Sequence, residues 1–198
     1  MTQAPLMDRI HITEDYDVPR VINGGWQLSA GHALERPLDL ADASRAFNRL
    51  IDMGFDTFDC ADIYTGVEDF FGGIIRERRK AGLRLPQIHT KFVPDLNDLA
   101  NVTPAYIENI ITRSLRRLGV ERLDAVQFHW WDYSVPGMVD VAGELVRLQE
   151  KGLIRLISTT NFNAVELRKL IDAGIPVATN QCQYSVLDRR PADRKSVV

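Results

Sequence analysis

The chain has 198 residues, 45% hydrophobic and 26% charged, with a net charge of −3. That length suits one domain with a real core, or most of a larger one, and the acidic balance argues against nucleic acid as a partner. No run of about 18 or more apolar residues is present, so no membrane span is expected. The stretch Met1–Arg9 shows no basic-then-apolar leader pattern. The two cysteines, Cys60 and Cys182, do not make a disulfide framework; they read as reduced thiols of a cytoplasmic protein.

Residues 9–20 read as a hairpin around the polar pair Glu14 and Asp15. A short strand over 21–26 then ends in Gly24, Gly25 and Trp26, and the glycines remove side chains where a backbone or ligand approaches closely. The segment 29–38 is read as loop. Ala43, Ala46, Phe47, Leu50 and Ile51 recur at helical spacing, predicting a helix over 40–53 with Gly54 as its stop. A second strand over 57–60 leads to a helix over 67–79, whose basic end complements the helix dipole. The third strand is 87–92. Thr103 and Pro104 open the next helix with a cap and a first-turn proline, and Gly119 ends it. The fourth strand is 123–129, followed by a loop with Trp130, Trp131 and Tyr133 and a helix over 136–150. A fifth strand over 154–159, a helix capped by Asn163, and a sixth strand over 177–183 complete the pattern.

Strand and helix alternate, and the strands are near-continuous apolar runs, as in a parallel sheet covered by helices. Both an open doubly wound sheet and a (β/α)8 barrel fit. Gly24-Gly25 lacks the third glycine of a dinucleotide fingerprint. Polar residues close nearly every strand, as in a barrel whose site lies at the strand C-terminal ends, so the barrel is preferred. Such barrels hold eight strands in about 250 residues. Only six are read here, before a tail without helical periodicity, so the barrel is expected to be incomplete: one domain over 1–198 that lacks its last units.

Asp59, Lys91 and His129 close three successive strands, and Tyr64 lies in the loop after Asp59. Parallel neighbours would point all four into one small volume. A tyrosine, with a reference pKa of about 10, is a poor acid at neutral pH. An ammonium such as Lys91 favours the phenolate and lowers that value. A carboxylate such as Asp59 holds the lysine charged, and an imidazole such as His129 orients a substrate oxygen. The set makes a general acid for a carbonyl oxygen, and a hydride donor would complete the reaction. No histidine, cysteine and carboxylate spacing suggests a metal.

These residues carry a resemblance to the aldo-keto reductase family. The segment Asp59-Cys-Ala-Asp-Ile-Tyr64 with Glu68 resembles its Asp/Tyr signature, and His89-Thr-Lys-Phe its lysine strand. The run from Asp124 to Trp130 resembles its histidine strand. Ser158-Thr-Thr160-Asn161-Phe162 and Asn180-Gln181 resemble two further segments, the first with Thr160 where serine is usual and Ser158 at a common glycine. The resemblance implies reduction of aldehydes or ketones with NADPH or NADH on a (β/α)8 barrel. It makes Tyr64 the general acid, Lys91 the residue that lowers its pKa, Asp59 the support of Lys91, and His129 the residue that positions the carbonyl. Thr160, Asn161 and Gln181 are expected to hold the nicotinamide carboxamide, and Gly24, Gly25 and Trp26 to line the cofactor. Trp26, Trp130 and Trp131 are expected in the substrate pocket. The alternative is an inactive relative that binds other proteins, or itself, through unpaired barrel edges. A barrel aldolase with Lys91 as Schiff-base nucleophile is a further alternative.

Overall fold

A computed structural model describes residues 8–30 and 39–189. The leader reading of the first residues, the loop around His32 and the tail from Pro191 lie outside these.

The N-terminal hairpin pairs β1 (Arg9–Thr13) with β2 (Tyr16–Pro19). The body is one sheet of six parallel strands: β3 (Asn23–Gly24), β4 (Thr57–Asp59), β5 (Gln87–Phe92), β6 (Leu123–Phe128), β7 (Ile154–Thr160) and β8 (Val177–Gln181). Their spatial order is their sequence order. A doubly wound sheet reverses direction at a switch point; this one never does, and it curls as an incomplete barrel. The strand and helix expectations therefore hold, with ends differing by a residue or two. Two short 3-10 turns, Trp26–Leu28 and Leu96–Asn101, had no periodic signal to announce them.

The helices are α1 (Leu40–Asp52), α2 (Val67–Lys80), α3 (Pro104–Leu118), α4 (Met138–Glu150) and α5 (Ala164–Asp172). The Thr103 hydroxyl accepts from the Tyr106 N–H and the Asn163 side chain from the Glu166 N–H, so both expected caps form. Gly119 ends α3 at φ 68°, a conformation that favours glycine.

Strand pleating divides the side chains into two sets. Outward-facing Ile88, Phe92, Val126, Phe128 and Ile157 join Ile107, Ile111, Leu145, Leu148 and Leu170 of the helices in the main core. Each such fully buried side chain stabilises the fold by about 1.5–3 kcal/mol. The inward set reads upward from the strand starts. Ala125 and Leu156 form the lowest layer, packed on Tyr16 and Val18 of the hairpin. The hairpin thus plugs the N-terminal end of the curled sheet. Tyr16 Oη is hydrogen-bonded to His89 Nε2 at 2.9 Å, and the Arg155 guanidinium lies over the Tyr16 ring while bonding Asp15. Beneath the strands, Arg9 and Arg84 both meet the buried Asp56. With that end closed, the polar residues at the opposite strand ends face a single opening.

Candidate active site

Asp59 ends β4, and Lys91 lies one pleat beyond Asp59's partner His89 on the adjacent parallel strand β5. Lys91 Nζ reaches both carboxylate oxygens of Asp59 at 2.7 Å and the Cys60 carbonyl at 2.9 Å. The three ammonium donors are therefore all used. The ammonium also sits 5.2 Å from the centre of the Tyr64 ring. Tyr64 is carried by the tight loop after β4, where its N–H bonds the Ala61 carbonyl.

The sequence reading expects Lys91 to lower the Tyr64 pKa, but the geometry acts the other way. Burial, then the negative charge of Asp59, pushes the Tyr64 phenol up to about 12. The Lys91 charge is already matched by a carboxylate on two oxygens, so little of it remains to favour a phenolate. Tyr64 is thus held as the protonated phenol throughout the neutral range.

His129 directly follows β6. Its Nδ1 lies 3.3 Å from the Thr160 carbonyl, which fixes the ring and leaves Nε2 as the other polar edge. Burial lowers its pKa, so the imidazole stays neutral. Trp131 meets it edge to face at 4.4 Å and is itself pinned by Nε1–H donation to the Pro94 carbonyl. Trp131 is about half exposed, as a pocket wall requires. Trp130 is not. It is buried among Phe128 and the helices and donates to the Val135 carbonyl. Continued alternation past the strand end turns Trp131 inward beside His129 and sends Trp130 out into the core, so the pocket assignment of Trp130 is corrected. A cavity of about 390 Å3 opens beside Trp131, lined also by Asp62, Ile63, Tyr106, Asn109 and Arg113.

The expected carboxamide-binding residues do gather. Thr160 ends β7, and its hydroxyl faces Gln181 Oε1 on β8 at 3.4 Å. Asn161 takes the left-handed conformation at φ 59°, and its Oδ1 accepts from the Gln183 N–H. Gln181 Nε2 donates to Asp59 Oδ1 at 3.0 Å, tying this group to the lysine pair. Amide and hydroxyl groups that both donate and accept suit the carboxamide of a nicotinamide, which needs one partner of each kind. Trp26 and Gly24 are exposed at the end of β3. Gly25 is buried, and its N–H bonds the Asp59 carbonyl. A Cβ there would lie 2.9 Å from Val67 and 3.0 Å from that carbonyl oxygen. Its missing side chain serves the close approach of β3 to β4 and α2, so Gly25 is removed from the cofactor contacts. Asn180 is structural: Oδ1 accepts from the Thr159 hydroxyl and the Phe162 N–H, and Nδ2 donates to the Phe162 carbonyl.

Sequence reading missed Gln127 and, around the Glu68 it quoted, a buried network. Gln127, buried on β6, donates from Nε2 to Asp59 Oδ1 at 2.8 Å. Its signal was present, because it precedes His129 by two positions and so shares its strand face. The network underpins the Tyr64 loop. Buried Glu68 accepts from the Thr90 hydroxyl and from Arg117, which also donates to the Asp62 carbonyl. The Asp62 carboxylate accepts from the Val93 N–H and Arg113. Burial, then the Glu68 charge, raises the Asp62 carboxyl to about 7. Glu68 therefore anchors the Tyr64 loop to β5 and α3. Among the described residues no group of His, Cys, Asp or Glu is placed to hold a metal.

The sequence profile of the Aldo/keto reductase family matches residues 20–196. A methylglyoxal reductase of Yersinia pestis is 29% identical over 94% of this chain and 60% of its own length. The NADH-specific methylglyoxal reductase of Escherichia coli K12 is 28% identical over 89% of this chain and 58% of its own length. The chloroplastic pyridoxal reductase of Arabidopsis thaliana is 30% identical over 82% and 45%. The chain thus spans about half to three-fifths of these relatives. A crystal structure of a thermostable aldo-keto reductase superposes with a TM-score of 0.77 at 22% identity, over 95% of this chain and 66% of that one, which supports the fold.

Proposed function

Because the chain belongs to the aldo/keto reductase family, we propose that it carries the acid machinery of a nicotinamide-dependent reduction of aldehydes or ketones, with Tyr64 as general acid. The observation that carries this reading is the Lys91 ammonium, locked by Asp59 at 2.7 Å and set over the Tyr64 ring, with neutral His129 on the neighbouring strand. Tyr64 Oη–H would donate to the carbonyl oxygen of the substrate, and the His129 ring, its one proton held on Nδ1 by the Thr160 carbonyl, would position that carbonyl by contact. A reduced nicotinamide, when bound, supplies the hydride to the carbonyl carbon. The Tyr64 proton moves to the carbonyl oxygen as negative charge develops there, and the alcohol is complete. The phenolate left behind lies beside the Asp59-paired Lys91 and regains its proton from solvent. Asp59 takes no proton; it holds Lys91 in place. Thr160, Asn161 and Gln181 would hold the carboxamide, and the exposed face of Trp131 would shield the carbonyl from water.

The test is the loss of absorbance of NADPH or NADH in the presence of methylglyoxal, the compound in the names of two relatives. Tyr64→Phe should lower turnover by about 10²–10⁴-fold, the usual contribution of a general acid. A variant that keeps more than about a tenth of the parent rate would remove Tyr64 from that role. Quenching of Trp26 and Trp131 fluorescence reads cofactor binding independently of turnover.

A further inference from the structure

Asp59 is asked to do something a carboxylate does not do unaided: hold both oxygens on one ammonium without rotating. Among the described residues Oδ2 accepts only from Lys91, whereas Oδ1 accepts from Lys91 at 2.7 Å, Gln127 at 2.8 Å and Gln181 at 3.0 Å. The two amides are unequal. Gln181 lies on the edge strand β8 and is exposed, so water competes for its donor. Gln127 is 4% exposed on the interior strand β6, in register with Lys91 on one side and Ser158 on the other. Register partners on parallel strands project to the same face. The backbone therefore delivers the Gln127 amide and the Lys91 ammonium to the same carboxylate from neighbouring strands.

We propose that Gln127 is a positioning residue, whose amide N–H clamps Asp59 Oδ1 so that the carboxylate keeps both oxygens on Lys91. The chemistry of an amide suits this duty. Only its NH2 end can meet a carboxylate oxygen, so its orientation is set. It carries no charge, so it holds Asp59 without repelling the ammonium, as a lysine or arginine in its place would. A hydrogen bond to an ionised group is also stronger than a neutral one, and its donor, Gln127, is buried. A methionine of similar length would fill the space and leave Oδ1 held only by Lys91 and the exposed Gln181.

The clamp is a matter of geometry; its effect on turnover rests on the reductase reading, so the test separates the two. In the full chain, lysine NH3+ groups are observed by 1H–15N correlation, with Lys91→Met identifying the signal. A fully bonded, buried ammonium exchanges slowly with water. Gln127→Met should speed Lys91 exchange by about tenfold, corresponding to the loss of one hydrogen bond. Ser158→Ala, buried in the same layer with its hydroxyl bonded to Thr179, should leave it unchanged. An unchanged Lys91 signal in Gln127→Met, or an equal change in Ser158→Ala, overturns the clamp. The unaltered chain gives a check that needs no variant to fold. The Gln127 side-chain NH2 should exchange far more slowly than that of exposed Gln181, and equal rates would overturn the proposal. Turnover is read separately. Absent carbonyl reduction with these signatures intact would count against the reductase reading alone.

Discussion

His89 links the plug to the site, and its protonation should be felt as lost stability. Burial pushes this imidazole down to about 4, against an unfolded value of about 6.5. The unfolded chain therefore binds the proton first as pH falls, and folding loses free energy between those two values. From about pH 7.5 to pH 5 the linkage amounts to about 2 kcal/mol. For a chain of this size that is a fall of roughly 4–8 °C in Tm. The groups that meet His89 are Tyr16 from the hairpin, by direct hydrogen bond, and Asp59 and Lys91 through their charges. Burial also holds the Tyr16 phenol well above its ordinary value, so Tyr16 stays neutral throughout this range. His89→Phe keeps a ring beside Tyr16 but cannot take the proton. Urea unfolding of both proteins at the two pH values isolates the effect, since every other titrating group is shared. The parent should lose about 2 kcal/mol more than the variant on acidification. Parallel loss in the two proteins would refute a neutral, buried His89.

Other outcomes follow from distances already given. Gly72→Ala would put a methyl 2.0 Å from the Arg117 carbonyl oxygen, so α2 and α3 must part; a destabilisation of about 3 kcal/mol in urea unfolding is expected. Asn180→Ala removes three bonds that pin the loop after β7 and should cost about 1–3 kcal/mol by the same measurement. Because the Tyr64 phenol is pushed up to about 12, carbonyl reduction should hold its rate above neutral pH; a fall centred near pH 8–9 in a pH–rate profile would contradict that placement. Trp131→Ala should raise the KM for carbonyl substrates more than it lowers kcat, because it removes a wall while His129 keeps its bond to the Thr160 carbonyl.

The strands and caps were legible because their signals are local. Thr103-Pro104, Asn163 and the apolar runs 87–92 and 123–128 act through neighbours in sequence. The winding was legible only indirectly, from the polar residues closing each strand. What escaped depends on the third dimension. Trp130 and Trp131 are the same residue type at adjacent positions, and only their alternation past the end of β6 separates core from pocket. The direction of the Tyr64 shift turned first on burial of the phenol and then on the Asp59 charge beside it, which spacing cannot report. Gly25 looked like a ligand contact because a glycine is equally required where two stretches of the chain's own backbone meet. Gln127 carried the right periodicity but no ionisable group, and so drew no attention.

The unreversed strand order bears on how the chain assembles. Each parallel strand finds its partner in the unit just made, roughly thirty residues back, so the sheet can grow from its N-terminal edge as synthesis proceeds. The hairpin cannot be locked so early. Its bond to His89 spans 73 positions and that from Arg155 to Asp15 spans 140. Such distant closures carry the larger entropic cost and come late. The hairpin strands, made before the sheet, are thus among the last to be secured, and the lysine pair can be in place before the floor beneath it is sealed.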